Sequence, residues 1–471
     1  SEFKDEFHNI ARAFRIFQNS QLVTDKDSYT QRKAKIVLQK RLDALNDKLN
    51  GYLASTYGIK KYEDLGGNTR LFSSDNTLKQ HTKEYIKWLE SHQPFHWFAE
   101  FYEIINGNGG FDVIIGNPPY VEYSKTRNKY AIKGYETESC GNLYAFIMEV
   151  SMKITNNISR IGIIIPLSGY CTFRMEKLNK LFINGFNRTY ISFYSFRPSK
   201  LFDGANRTIG IGIYSKNDSI EEKKHFTTTY RKWSTEYRKF LFNTVFYRQF
   251  SRFYLQNQYP KIEKKCEDNI LSKIFKKNSC IDFYITKINK QNCIFYKNVG
   301  GLYWKIITDF KPKFYENGKL GINTRETHIY IDRKDFMYII LALLNSNLFW
   351  FWYITTSDCW ALNPSDIRKL PIEVEKINSV NKENIKKLTF LLMKDLNNNS
   401  VWAQRIHKGK NKTKFQQFEP RKSKNIIDSI DQNFAKHYGF SEEELDFIIN
   451  YDIKYRMGKE LFNNENEKGN E

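Results

Sequence analysis

The chain of 471 residues contains no uninterrupted apolar run of membrane-spanning length. Its longest apolar stretch, from Phe336 to Ile354, is broken by Asn345, Ser346 and Asn347. A span that long is nearly free of polar residues, so the stretch reads as two elements of a soluble fold. A mean hydropathy of −0.61 agrees. Metal-ligand spacing is also missing. The six cysteines, Cys140, Cys171, Cys266, Cys280, Cys293 and Cys359, form no Cys-x-x-Cys pair and have no His at ligand spacing, so a structural zinc site lacks support. No secretory leader is recognisable, and the thiols are expected reduced, in the cytoplasm. Internal repeats and low-complexity linkers are lacking as well, and the length allows two to four ordinary domains. The opening Ser1-Glu2-Phe3 has no initiator Met; the expectation is a piece of a longer protein.

Acidic residues are in short supply. Lys and Arg number 74 against 52 Asp and Glu, a formal charge of +22, which calls for a polyanionic partner. A generally basic, Lys/Asn-rich proteome would give the same total, but here the excess is clustered. Residues 221–280 hold fourteen basic and six acidic side chains, and 401–425 hold eight basic ones against Glu419 alone. Clustering favours the phosphates of double-stranded DNA. No membrane partner is implied.

Leu38, Leu42, Leu45, Leu49 and Tyr52 recur at alternating steps of four and three, one apolar stripe on a helix within 30–56. The aromatic block QPFHWFAEFYEI (93–104) and the loop NGNGG (106–110) lead into a different texture. FDVIIG (111–116), IGIIIP (161–166), TYISFYSF (189–196) and TIGIGIYS (208–215) read as strands, and GNLYAFIMEVSMKIT (141–155) as a helix between the first two. Strands alternating with helices give an α/β sheet, parallel where the runs are continuously apolar. The last two strands, with Gly204 between them, suit an antiparallel pair at the sheet edge. Beyond about 240 the sequence is aromatic, basic and irregular. DFMYIILALLNSNLFWFWYI (335–354) reads as buried helix, NPSDIRKLPI (363–372) as a loop into a strand, and the tail from about 384 as helical. In that tail Gly439 suits a left-handed helix stop, and Ser441 with Glu444 forms a capping box.

The strand FDVIIG runs into Asn117-Pro118-Pro119-Tyr120. Two consecutive prolines neither donate to a sheet nor continue a helix, and ligands of open α/β sheets gather at the carboxyl ends of parallel strands. A plain Asn-Pro turn is the competing reading. Asn-Pro-Pro-Tyr after an apolar strand resembles the catalytic motif of amino-methylating, S-adenosylmethionine-dependent methyltransferases. More closely, PFHWFAEFYEI…GGFDVIIGNPPYVEYSK resembles the gamma-class adenine-specific DNA methyltransferases of large restriction–modification and phage-defence proteins. The likeness continues through GNLYAFIMEV, GIIIPLS and RPSKLFDGANRTIGIGIYS, and returns at LLNSNLFWFWY…LNPSDIRKLPI and GFSEEELDFIINYDIKYRMG. It covers most of the chain from about residue 90 and is densest between 93 and 215.

The resemblance implies that the Asn117 side-chain oxygen and the Pro118 carbonyl accept hydrogen bonds from adenine's exocyclic amine. They would localise a lone pair otherwise delocalised into the ring and aim it at the methyl donor, through positioning and electrostatics. Pro118 and Pro119 stiffen the corner. Tyr120 offers a flat face to a base swung out of the duplex, as chemistry on a stacked base requires. Tyr123 and Phe196, or the Arg197-Pro198 pair, are further base-pocket candidates, with ordinary packing as the alternative. Asp112 suits a local hydrogen bond better than acid catalysis, and His96 and Trp97 suit core or hinge positions. No metal is implied. One departure stands out. The family holds S-adenosylmethionine with a Gly-rich turn after its first strand and an acidic residue after its second, and neither is visible upstream of Asn117. DLGGNTRLF (64–72) has adjacent glycines but no apolar strand before it. The cofactor-binding half is expected to lie elsewhere in the parent protein.

The predicted fold class is α/β, a partial Rossmann-like methyltransferase sheet, followed by an α+β DNA target-recognition domain and a helical C-terminal tail. The predicted division is a helical segment over 1–105, the catalytic half-domain over 106–240, target recognition over 241–383 and a helical region over 384–471. Arg231, Lys232, Arg238, Lys239, Arg248, Arg252, Lys264 and Lys265 are candidates for phosphate contact, against the alternative of a solvated charged face. Three functions fit: an adenine-N6 DNA methyltransferase, a DNA-binding specificity module without catalysis of its own, and a protein-glutamine methyltransferase.

Overall fold

A computed structural model describes residues 4–22, 28–59, 75–204, 206–288, 291–300, 303–406 and 412–458. The chain divides into two compact units. The first comprises Ser1–Ile163, Leu181–Arg188 and Ile213–Lys223; the second comprises Ile164–Lys180, Thr189–Gly212 and Lys224–Glu471.

Six strands form the main sheet: β1 Phe111–Gly116, β2 Thr155–Pro166, β3 Arg188–Tyr194, β4 Ile209–Asn217, β5 Lys224–Arg231 and β6 Arg248–Gln249. Their order is β1-β2-β4-β3-β5-β6. β1 and β2 run parallel, with Ile114 opposite Ile161 and Gly116 opposite Ile163. The helix Leu143–Lys153 between them is the crossover that parallel neighbours require. β5 and β6 are antiparallel, so the sheet is mixed. The expectation that β3 and β4 lie at the sheet edge is not met. They are interior neighbours, because β5 adds beyond β3. Its sequence KHFTTTYR has no apolar run, yet Thr227 and Thr228 are fully buried, and β-branched residues suit a pleated, half-buried surface.

In the first unit, helices α1 Lys4–Leu22, α2 Ser28–Thr56 and α3 Asp75–His92 precede the sheet. Ile10 and Ala13 of α1 share a core with Leu38 and Leu45 of α2 and with Ala99 and Tyr102. The leucine stripe therefore works as read as far as Leu49, while Tyr52 is 64% exposed. The segment 64–72 lies outside the described residues.

The second unit is centred on helices Lys334–Asn345 and Asn347–Thr356; every residue of the latter is buried. The polar residues between them do structural work. The Asn345 amide donates to the Ile307 carbonyl (2.9 Å) and accepts from its N–H (3.1 Å). The Ser346 hydroxyl caps the second helix by accepting from Phe349 N (3.1 Å). Asp431 accepts from Asn347 N (3.0 Å), Asn347 Nδ2 (2.7 Å) and Leu348 N (3.0 Å). Among the described residues no single helix is long and apolar enough to cross a membrane; this pair has the length and composition together but is bent by 66°.

Seven short strands follow: β7 Cys293–Lys297, β8 Ile307–Thr308, β9 Phe314–Glu316, β10 Lys319–Leu320, β11 Glu326–Tyr330, β12 Val401–Ile406 and β13 Lys412–Gln417. They form two antiparallel sheets, β11-β7-β8 and β10-β9-β13-β12. This corrects the wholly helical C-terminal tail. β12 and β13 sit between helices Ser379–Asn398 and Lys424–Tyr438 and are fixed by a distant partner, with Phe415 opposite Phe314. NPSDIRKLPI is likewise corrected. It opens on a helix, Pro364–Arg368, with Pro364 in its first turn and an Asn363/Asp366 capping box. Gly439 is left-handed (φ 71°), and the Ser441/Glu444 box is formed.

Candidate active site

β1 ends at Gly116, and Asn117-Pro118-Pro119-Tyr120 form the loop at its carboxyl end. The strand stops here because neither proline has an N–H to give the ladder. The loop is anchored on both sides. Upstream is the β1–β2 pairing. Downstream, Glu122 bridges Asn142, Tyr123 N donates to Gly141 O (2.9 Å) and Leu143 N donates to Val121 O (3.0 Å). Gly141, at φ 61°, turns the chain into the helix Leu143–Lys153. Asn117 is exposed, Pro118 buried, Pro119 exposed and Tyr120 half-buried. The Tyr120 hydroxyl donates to Asn117 Oδ1 at 2.7 Å, and its ring stands edge-on to Tyr144, 6.5 Å between centroids. Burial pushes the Tyr120 phenol up to about 12, so it stays a neutral donor. A carbonyl oxygen has two lone pairs, so Asn117 Oδ1 keeps capacity for a second donor.

A buried carboxylate supports this arrangement. Glu149, with no exposed side-chain surface, accepts from Thr137 N (3.0 Å), Thr137 Oγ1 (2.8 Å), Glu136 N (3.2 Å) and Lys153 Nζ (2.6 Å). It ties the segment Glu136–Cys140 to the helix that anchors the loop. Burial pushes its carboxyl up, but the bonds from Lys153, Thr137 and Glu136 outweigh that and hold it below the usual range. Sequence reading passed over Glu149. A single carboxylate within LYAFIMEVSMK was the available signal, because such a group needs partners to be buried.

The other site candidates are placed as follows. Tyr123 is 4% exposed, with its ring on Phe146 (5.2 Å) and its hydroxyl accepting from Ile132 N (2.6 Å). Phe196 belongs to the second unit, between Trp360 (5.2 Å) and the Arg197 guanidinium (5.2 Å). Asp112 accepts from Asn156 Nδ2. His96 bonds Asn50 Oδ1 (2.7 Å), and burial lowers its pKa. Of the basic candidates, Arg231 pairs with Glu263 (3.4 Å) and donates to Thr244. Lys232 pairs with Asp452 and is 4% exposed. Arg238 donates to Lys200 O (2.8 Å) and Leu201 O (2.6 Å). Arg248 is half-buried in β6, while Lys239, Arg252, Lys264 and Lys265 are exposed.

The described residues do not fit S-adenosylmethionine. Among them no strand precedes β1, so there is no strand-to-helix glycine turn and no acidic residue ending a second strand. β1 is an edge strand with no buried residue; Val113 is 58% and Ile115 84% exposed.

Residues 19–202 match the family model described as Eco57I restriction-modification methylase. Over those residues the chain is similar to restriction–modification methylases of the Eco57I type. A protein of Methanocaldococcus jannaschii named as a type II restriction enzyme and methyltransferase is 28% identical over 263 residues, which take in 55% of this chain and 20% of the relative. Among solved structures, the Type IIL restriction-modification enzyme MmeI in complex with DNA is similar over 73% of this chain and 57% of its own, at 13% identity and a TM-score of 0.40. A nuclease-deletion mutant of the Type ISP restriction-modification enzyme LlaGI, with a DNA substrate mimic, is similar over 72% and 50%, at 11% identity and a TM-score of 0.35. The chain spans a fifth of the curated relative's length and about half of each of these two enzymes.

Proposed function

We propose that the chain supplies the catalytic and target-recognition portions of a site-specific adenine-N6 DNA methyltransferase of a restriction–modification or phage-defence system. The observation that carries this reading is Asn117, an exposed amide on a proline-stiffened corner at the carboxyl end of β1, within a methylase-type domain. In this reading Asn117 Oδ1 and the Pro118 carbonyl accept from the adenine amine, and Tyr120 orients Asn117 while flanking the extruded base. Residues 241–383 carry target recognition.

S-adenosylmethionine supplies the methyl group, and the half that holds it lies outside this chain. The uncovered edge of β1, with Val113 and Ile115 bare, supports a further strand docking there. Alone, the chain is then a DNA-binding specificity module, a reading favoured by the lack of a donor cradle among the described residues.

The test is mass spectrometry of nucleosides from DNA incubated with the complete protein and methyl donor. N6-methyladenine is the expected product. Methylated glutamine in protein, with DNA unmodified, selects the protein-glutamine methyltransferase instead.

A further inference from the structure

The second unit contains a cleft of about 710 Å³ that none of the basic candidates above lines. One side is the sheet β11-β7-β8, which contributes Phe295 and Lys297; the other is β10-β9-β13-β12, which contributes Phe314, Arg405 and Phe415. Its charge is one-sided. Among the described residues Lys297, Lys305, Arg325, Arg405 and Arg456 line it against Glu316 as the single carboxylate.

Two of these cations are committed internally. Arg456 lies 3.8 Å from the Trp304 ring centroid and donates to Asn347 Oδ1. Lys305 donates to Gly300 O at 2.9 Å. The other three have no ion pair or side-chain hydrogen bond among the described residues. Lys297 and Arg405 converge on one ring, 5.2 and 5.3 Å from the Phe415 centroid, and Arg325 is exposed at the cleft. Burial lowers the Lys297 pKa, Glu326 opposes that and Arg405 adds to it. Like charges gathered this way, on half-buried aromatic surface, are stabilised by an external anion that also presents flat or apolar surface. Nucleotides combine those two properties, phosphate for the cations and base or sugar for the rings; an acidic peptide supplies the charge without the ring system.

We propose that this cleft seats the DNA backbone, with Lys297, Arg325 and Arg405 taking phosphates. The proposal rests on the DNA methyltransferase reading and adds three contacts to it. These three residues govern affinity and salt dependence, while sequence discrimination falls to base-edge contacts elsewhere.

The test is fluorescence anisotropy of the full chain with a labelled duplex over a salt series. Variants are Lys297→Met (which keeps the stem over Phe415), Arg325→Gln, Arg405→Gln and the triple, with Lys180→Gln as a control outside the lining. Each cleft substitution is expected to lower the slope of log affinity against log salt by about 0.9, with a loss of about tenfold or more for the triple at 0.1 M salt. The two exposed arginine variants are read separately, so the result does not depend on tolerance at Lys297. A triple variant with wild-type slope and affinity, beside a wild type that binds duplex, overturns the cleft and leaves the methyltransferase reading standing. A wild type without salt-dependent duplex binding overturns both.

Discussion

Replacing Glu149 by Ala should loosen the segment that anchors the Asn117 loop, by an amount the structure sets. Thr137 is fully buried, and both its N–H and its hydroxyl end on Glu149. Leaving each without a partner costs about 1–3 kcal/mol. Glu136 is exposed and can turn its N–H to water, and the Lys153 side chain is 50% exposed, so that ion pair contributes no more than about 1 kcal/mol. The expected total is about 3–5 kcal/mol, against about 1–2 kcal/mol for Glu149→Gln, which keeps one acceptor. Amide exchange at Thr137 is the direct readout, since opening of this segment releases that N–H. The pH dependence has a definite sign. The folded carboxyl lies below its ordinary value, so its stabilisation is fully present above the ordinary carboxylate range and is lost as pH falls through the lowered pKa. The gap between wild type and Glu149→Ala should be flat from about pH 6 to 8 and narrow as pH falls below the ordinary carboxylate value of about 4. A cost under about 1 kcal/mol, or unchanged exchange at Thr137, would refute the clamp.

Other perturbations separate chemistry from folding. Tyr120→Phe removes the donor to Asn117 Oδ1 and should slow transfer by the complete protein about tenfold, equivalent to about 1.4 kcal/mol, with duplex affinity unchanged; a parallel loss of binding would contradict an orienting role. Asn345→Leu strands the buried N–H and C=O of Ile307 and should cost about 2–5 kcal/mol in denaturant unfolding. Ile115→Lys, at an 84% exposed position, should leave the chain's own stability within about 0.5 kcal/mol. The same change should block methyl transfer restored by adding the cofactor-binding half, and full rescue would exclude the β1 edge as its docking line.

Legibility in the sequence followed the range of the interactions. β1 was bounded to the residue because an apolar run met two prolines, and Gly439, Ser441 and Glu444 were readable because caps are set within one turn. β5 and the β12–β13 hairpin escaped because partners distant in sequence define them: Thr227 and Thr228 look polar until buried, and β13 is held by β9. Asn363-Pro364 was misread because Asn-Pro serves both turns and helix starts, and Asp366 decided for the helix. At the candidate site, the place of Asn117 to Tyr120 at the carboxyl end of β1 could be read directly, whereas the Tyr120–Asn117 bond and the Glu149 clamp could not. The basic candidates show the limit of composition. Arg231, Lys232 and Arg238 are spent on internal partners, while Lys297 and Arg325, outside the basic clusters, line the cleft with Arg405 from 401–425.

The most direct measurement is tritiated-methyl incorporation into unmethylated DNA by the complete protein and its Asn117→Ala variant, with duplex affinity measured alongside. Incorporation by the wild type, its loss in Asn117→Ala and near-equal affinity for both are expected, because the substitution removes a positioning acceptor and no phosphate contact. Sustained incorporation by Asn117→Ala would contradict the assignment of the loop as the catalytic site.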